Sequence, residues 1–483
     1  MAGNCLLAYF QIYAFSSFYF CYLNKNKSVG LLPFPTHMSS DFKLGTSYRQ
    51  ILEISLPISF AILVPQFNYL INSFFLAKLG TGFIGISGVT GVYYLIFSVI
   101  GFGLNNGLQA LISRRAGQDR TGEIGILFTQ SIYITLIIAL VGIAFTYTLA
   151  PFIFKSNLDE PMYVKAIGFL KIRIWGLPFL YLYQMRNALL VGTNQSKLLI
   201  YGTLAETISN VVLDYGLIFG HFGLPTLGFN GAAYASVLAE FIGMVVVFGI
   251  IHINGMNKRF NIFMTWKIDW ASIKTILTQS APLVLQYAIS ITSWEFFFIL
   301  IAHDGQLALD ISQFMRIIFG FFGIFIWAFA ATSNTMVSNV IGQGKNELVI
   351  PLIMRISKLS FGITLLVFFP VIIYAGNILS LINHDQAFLA LAVPVLRIVS
   401  IAILIMSIST IWLNSVTGSG NTLINLSIEG ITIILYSIYV YVILEVRNMS
   451  IIWGWGSELV YWTSILIMSG TYMKSGKWKG KKV

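Results

Sequence analysis

An all-α integral membrane protein, with twelve transmembrane helices in two parallel-repeat six-helix lobes around a V-shaped central cleft, is the fold class this sequence predicts. Three observations carry it. Of 483 residues, 57% are hydrophobic and only 10% charged, with a mean hydropathy of +0.81, a make-up that excludes an ordinary soluble globule. The apolar runs are long, and about 20 helical residues cross a hydrocarbon core of about 30 Å. The chain also repeats itself. Ser55-Leu56-Pro57 returns as Ser280-Ala281-Pro282, and Ser113 to Gln118 returns as Ser338 to Gln343, both 225 residues on. A third echo, Gly192 to Ser196 against Gly418 to Thr422, lies 226 residues on. An offset of six spans returns each loop to its own side, so the repeat is parallel, with a pseudo-twofold axis along the membrane normal. Halves related in this way rock about a central site in secondary transporters.

Spans are predicted at 51–79, 83–111, 124–151, 166–191, 197–220 and 230–252, then at 274–301, 307–334, 350–379, 388–416, 422–445 and 449–472. If the residues after Met38 start inside, the inner loops and tail collect Arg114, Arg115, Arg120, Lys197, Lys258, Arg259, Lys267, Lys345 and the lysines from Lys474 on. The outer loops keep chiefly Lys78, Lys155, Lys165 and Arg447. This asymmetry places both termini of the twelve-span body on the cytoplasmic side. The expected division is a 1–38 extension, a 39–255 N-lobe, a 256–272 cytoplasmic linker, a 273–473 C-lobe and a 474–483 basic tail. Residues 5–23 form one further apolar stretch without a basic leader or a clear cleavage site. An upstream extension of a protein that starts at Met38 is preferred over a thirteenth helix.

The net charge of +11 follows from the basic loops and tail, so nucleic acid is not an expected partner. Both cysteines, Cys5 and Cys21, precede the body and leave it without a disulfide or thiolate metal site. No H-E-x-x-H, G-x-S-x-G or P-loop pattern occurs. The five histidines are scattered near span ends. The expectation is a protein that is not an enzyme, has no cofactor and does not itself bind ATP.

Ionisable residues inside spans are expensive in hydrocarbon and mark function by default. Glu206, Asn210 and Asp214 fall at i, i+4 and i+8 of the fifth span and share one helical face. Ser236 and Glu240 repeat the spacing in the sixth span, Asn68 and Asn72 in the first. Counted from the outer helix ends, Asp214 and Ser236 lie about 9 Å deep, Asn72 about 12 Å, and Asn210 and Glu240 about 15 Å. These residues can converge on a polar cavity of hard oxygen donors, suited to a proton or Na⁺. Interhelical hydrogen bonding alone is the competing account for the amides and Ser236. It explains Asp214 and Glu206 less well, because an amide would bond equally without the charge. The C-lobe has a different inventory: Glu295 beside Trp294, Arg316, Arg397, and Glu429 four residues after Asn425. Structural pairing of these arginines with Glu295 or Glu429, and a substrate-binding or gating role, both stand. The first lobe is expected to hold no buried cation at the level of Asp214. Gly85, Gly88, Gly91, Gly101, Gly103 and Gly107 are assigned to close helix packing.

Leu56-Pro57, Leu79-Gly80, Gly107-Leu-Gln109 leading into Arg114-Arg115-Ala-Gly117, Asn210-Val-Val-Leu-Asp214-Tyr215, Gly228 to Ser236 and Val337 to Gly342 together resemble the multidrug and toxic compound extrusion (MATE) transporters. The resemblance covers roughly residues 47–472 and is closest in flavour to the branch common in Bacteroidota. It implies a cation-coupled antiporter of the bacterial inner membrane, driven by H⁺ or Na⁺, that exports amphipathic or cationic organic compounds by rocker-switch alternating access; a monomer in the bilayer is expected. A flippase for lipid-linked saccharides is the alternative on a related two-lobe plan, and a multi-span membrane enzyme the alternative of another class. The family's first-lobe cation site carries over to Asn72, Asn210, Asp214 and Ser236, with Asn72 where the family usually has aspartate. Glu206 and Glu240 are the expected substitutes for the missing charge. The family's second-lobe acids in the seventh and tenth spans have no clear match.

Overall fold

The computed structural model describes residues 42–481 except 157, 265, 381 and 382. The apolar stretch at 5–23 lies outside the described residues. All regular structure among the described residues is helical. In the first half, α1 spans Tyr48–Leu79, α2 Thr81–Gly117, α3 Thr121–Thr148, α4 Ala150–Lys155, α5 Glu160–Arg173, α6 Leu177–Gly192, α7 Leu199–Phe219 and α8 Phe229–Ile253. The short α9, Met256–Arg259, leads to the second half. There α10 spans Trp270–His303, α11 Gln306–Gly342, α12 Val349–Ile373, α13 Ala375–Ser380, α14 Gln386–Gly418, α15 Thr422–Tyr441, α16 Ile451–Gly454 and α17 Ser457–Lys474.

Among the described residues, ten helical segments are long and apolar enough to cross a membrane. The fifth and twelfth expected spans form as α7 and α17, of 21 and 18 residues. Their hydropathy is diluted by the polar groups they bury, Asn210 and Asp214 on α7 and Glu458 on α17. Asp269 starts α10 as an N-cap, its carboxylate accepting from the Ala271 N–H and the Ser272 hydroxyl. The Ser272 bond is the main reason that its pKa lies below the ordinary carboxylate value.

α2 and α11 run past the expected ends at 111 and 334 to Gly117 and Gly342. Arg114 and Arg115 therefore sit on the last helical turn, not in a loop. The reason is a contact between the halves. Gln109 donates to the Ala331 carbonyl and Asn334 to the Asn106 carbonyl. Ser113 Oγ donates to the Thr335 carbonyl and Ser338 Oγ to the Ala110 carbonyl. Each bond is the image of another under the 225-residue offset, so the contact is isologous, as a twofold axis requires. Partner numbers rise together along both helices. α2 and α11 therefore run parallel, and the axis lies along them.

Two glycines make this approach possible. A Cβ on Gly117 would lie 2.2 Å from the Asn339 carbonyl oxygen, and one on Gly342 would lie 2.4 Å from that of Arg114, again images of each other. Gly103 and Gly107 likewise meet Val284 and Ser280 of α10. Gly85, Gly88 and Gly91 do not pack as expected: a Cβ at each would meet nothing within 4 Å. They lie on the opposite half of α2, where no bond to the second half is found among the described residues. The halves are thus joined at the basic end and splayed at the other.

Other segments seal the basic end. Leu44 N–H donates to Asn339 Oδ1, which sits in turn on the Phe42 carbonyl through Nδ2. Arg355 donates to the Thr46 carbonyl at 2.7 Å. Arg114 Nη2 donates to the Gly418 carbonyl at 3.0 Å. The connection between the halves buries Phe260 against Gly125, and the tail buries Trp478.

Candidate functional site

α1 and α7 leave the basic end side by side, and Asn68 Nδ2 donates to Asn210 Oδ1 at 2.7 Å. Since both helices run the same way, one further turn brings Asn72 and Asp214 to a common level. Beyond them Phe75 closes on Tyr215 and Phe219, with ring centroids 6.1 and 5.9 Å apart. Asp214 is 0% exposed, and neither of its carboxylate oxygens has a hydrogen-bond partner. Asn68 Oδ1, Asn72 Oδ1 and Asn210 Nδ2 are also buried and unpartnered. Arg173 acts on Asp214 through space without touching it, and a buried carboxylate with no hydrogen-bond partner costs several kcal/mol, so its unpartnered oxygens ask for a proton or a cation. Ser236 is half-buried on α8, the helix packed along α7, and makes no bond to the others among the described residues.

Glu240 and Glu206 stand apart from this group. Arg173 of α5 grips Glu240 with both terminal nitrogens, Nη1 to Oε2 at 2.9 Å and Nη2 to Oε1 at 2.6 Å. The same guanidinium lies 3.9 Å over the Tyr94 ring. Glu206 packs against Gly243 and is within electrostatic reach of Glu240, Arg186 and Arg173. Arg186 is fully buried, stacked 3.7 Å over Tyr183. Arg173 reaches Asp214 electrostatically as well, so the expectation that no buried cation stands at the level of Asp214 is corrected. Glu240 is thus paired with an arginine, whereas Glu206 has no ion pair among the described residues. Both arginines lie inside the fourth span, where the rule that intramembrane charge is functional or paired would have found them.

The second half differs from expectation in the opposite sense. Glu429 is buried and faces hydroxyls: its Oε1 accepts from Ser290 and Tyr461. No arginine reaches it among the described residues. Arg316 instead lies 3.9 Å from Glu295, both partly exposed, and within 5.5 Å of the Trp294 and Phe298 rings. Arg397 is exposed and has no ion pair among the described residues, because its position on α14 faces away from the lobe core. Glu458, missed in the sequence because it sits near the start of the last span, is buried and accepts from Trp462 Nε1 at 2.9 Å.

Two repeated helical halves that span a membrane are an architecture common among secondary transporters. The profile of the family described as MatE matches residues 57–216 and again 282–442, the same two halves that the repeat marks. This chain belongs to the MatE family, one of transporters and not enzymes. Proteins named "probable multidrug resistance protein NorM" are similar. That of Synechocystis is 25% identical over 43% of this chain and 45% of its own length. That of Bacillus anthracis is 27% identical over 50% and 54%. The chain spans about half the length of the curated relatives it matches. Among solved structures, an outward-facing conformation of a multidrug resistance MATE family transporter shares the fold, with a TM-score of 0.80 at 16% identity over 92% of this chain and 100% of that one. A transporter of the MOP superfamily from Pyrococcus furiosus does so with a TM-score of 0.80 at 15% identity over 91% and 98%.

Proposed function

We propose that this protein is a cation-coupled antiporter that exports amphipathic or cationic organic compounds from a bacterial cell, as a monomer in the inner membrane. The observation that carries the proposal is Asp214, fully buried with both oxygens unpartnered beside unpartnered amides. The basic end of the molecule is read as the cytoplasmic face, which makes the structure open to the outside. A cation entering from that side meets Asp214, and its binding favours the outward-open state by as much as it prefers that state to the other. Swinging the two states from 1:99 to 99:1 asks for about 5.5 kcal/mol of such preference. H⁺ and Na⁺ both suit one carboxylate among neutral oxygens. Substrate would occupy the splayed part of the cleft, and the lobes would rock about the α2 and α11 contact.

The test is ethidium flux in proteoliposomes under an imposed pH or Na⁺ gradient. Wild-type protein should move ethidium against one of the two gradients. Asp214→Asn keeps the shape of the side chain and removes its charge, so it should abolish coupled flux with unfolding unchanged. Full coupled flux in that variant would remove Asp214 from the mechanism.

A further inference from the structure

Among the described residues the chain between α9 and α10 is not helical. From Met264 on, every second residue is large and apolar: Met264, Trp266, Ile268 and Trp270, the last opening α10. These four side chains are 58–73% exposed, whereas Phe260 and Ile262 just before them are buried. The backbone of the strip is laid along α3. The Phe260 carbonyl abuts Gly125, and the Phe263 N–H donates to Thr129 Oγ1 at 3.4 Å. Gln130 donates to the Lys267 carbonyl at 2.9 Å and accepts from the Asp269 N–H at 3.3 Å. The Tyr133 hydroxyl donates to the Trp266 carbonyl at 3.1 Å. From Gly125 to Tyr133 α3 rises about 12 Å. The strip therefore climbs the first turns of an apolar span instead of hanging below it. A loop bathed in water satisfies its carbonyls without help, but a strip in a water-poor layer needs such partners.

Basic residues surround the strip. Lys258 and Arg259 precede it, Lys267 interrupts it, and Lys274 follows one turn after Trp270 on the same face of α10. Arg259 lies 4.0 Å over the Phe42 ring, whereas Lys267 and Lys274 are exposed beside the apolar side chains. The acid among them, Asp269, is engaged in capping α10. Tryptophan is enriched at the membrane–water interface, and lysines close to a span attract anionic headgroups. Irregular backbone is excluded from the hydrocarbon core but not from the interfacial layer above it. A lipid leaflet meets all of these conditions.

We infer that Met264, Trp266, Ile268 and Trp270 form a lipid anchor. Their side chains lie in the interfacial layer of the leaflet at the basic end, and Lys267 and Lys274 hold the phosphates of anionic lipids there. The strip belongs to the covalent link between the two halves, so the anchor moors that link at the membrane surface while the lobes move on either side of it. The inference rests on the membrane-spanning fold and not on the antiport reading.

The experiment uses the purified full-length protein carrying Cys5→Ser and Cys21→Ser, in nanodiscs of phosphatidylcholine and phosphatidylglycerol. A spin label is attached at Ile268→Cys or, as a second position, at Met264→Cys. Lys345→Cys, exposed on the loop after α11, is the water-facing control. Power saturation measures collisions with oxygen, which partitions into lipid, and with a nickel chelate, which stays in water. Relative to nickel, oxygen should reach the labels at 268 and 264 several-fold more than the control. A ratio equal to the control at both positions places the strip in water. Shielding from both reagents means that a second copy of the chain covers it. Either result overturns the inference. A bimane fluorophore at Ile268→Cys then reads the headgroup, with brominated phosphatidylglycerol and brominated phosphatidylcholine compared at equal mole fraction. Phosphatidylglycerol should quench more strongly, and Lys267→Gln combined with Lys274→Gln should bring the two lipids level. Equal quenching before those substitutions, or a preference that survives them, overturns the assignment of anionic headgroups to the two lysines.

Discussion

Replacing Arg173 with Met isolates the largest electrostatic feature of the first lobe. The pair it forms with Glu240 has two hydrogen bonds, at 2.9 and 2.6 Å, and side chains 15% and 8% exposed. Removing one member of a buried pair leaves an uncompensated charge and costs about 3–5 kcal/mol, whereas replacing both by apolar residues is often neutral or better. Arg173→Met should therefore destabilise by about 3 kcal/mol or more, and Glu240→Met by a similar amount. Arg173 also loses its stacking on Tyr94, a further loss of about 1 kcal/mol. The double variant should recover most of the deficit, giving a coupling of about 5–6 kcal/mol in a double-mutant cycle. Equilibrium unfolding in mixed detergent and SDS micelles, at fixed lipid and pH, provides the numbers. Additive single effects, with the double variant near 6 kcal/mol down, would show that the two charges are not read as a pair and would refute the reasoning.

Gly117→Leu places a side chain against the Asn339 carbonyl, where the nearest atoms are backbone, 2.2 Å from a Cβ; spin-label distances at the basic end should widen and flux should fall sharply, and an unchanged distance would contradict the tight crossing. Asn72→Asp sets a second carboxylate at the level of Asp214, so like-charge repulsion should move the pH midpoint of flux upward; an unmoved profile would mean that the two side chains do not share a site. Arg316→Gln removes a partly exposed pair at 3.9 Å from Glu295 and should change stability by less than about 1 kcal/mol, a loss several times larger being the contrary result.

The six-span repeat was legible because it is written in motifs, and those motifs are the contact itself. Ser113 and Ser338 echo each other in the chain because they make mirror-image bonds across one axis. The helical face that carries Asn210 and Asp214 was equally legible, since i, i+4 spacing survives any small error in depth. The arginines were not. Arg173 meets Glu240 from 67 residues away, and nothing in the local pattern of either says which way its helix is rotated.

Hydropathy, periodicity and spacing are local properties, so the sequence by itself determined the membrane solvent, the helices, their parallel repeat and the face that carries Asp214. Partnership between buried charges depends on how helices are turned about their axes and how far two lobes lean together, quantities set by packing at many contacts at once. Only the tertiary structure therefore decided that Glu240 is neutralised by Arg173, that Glu429 stands among hydroxyls with no arginine, and that Gly117 and Gly342 join the halves while Gly85, Gly88 and Gly91 face open space.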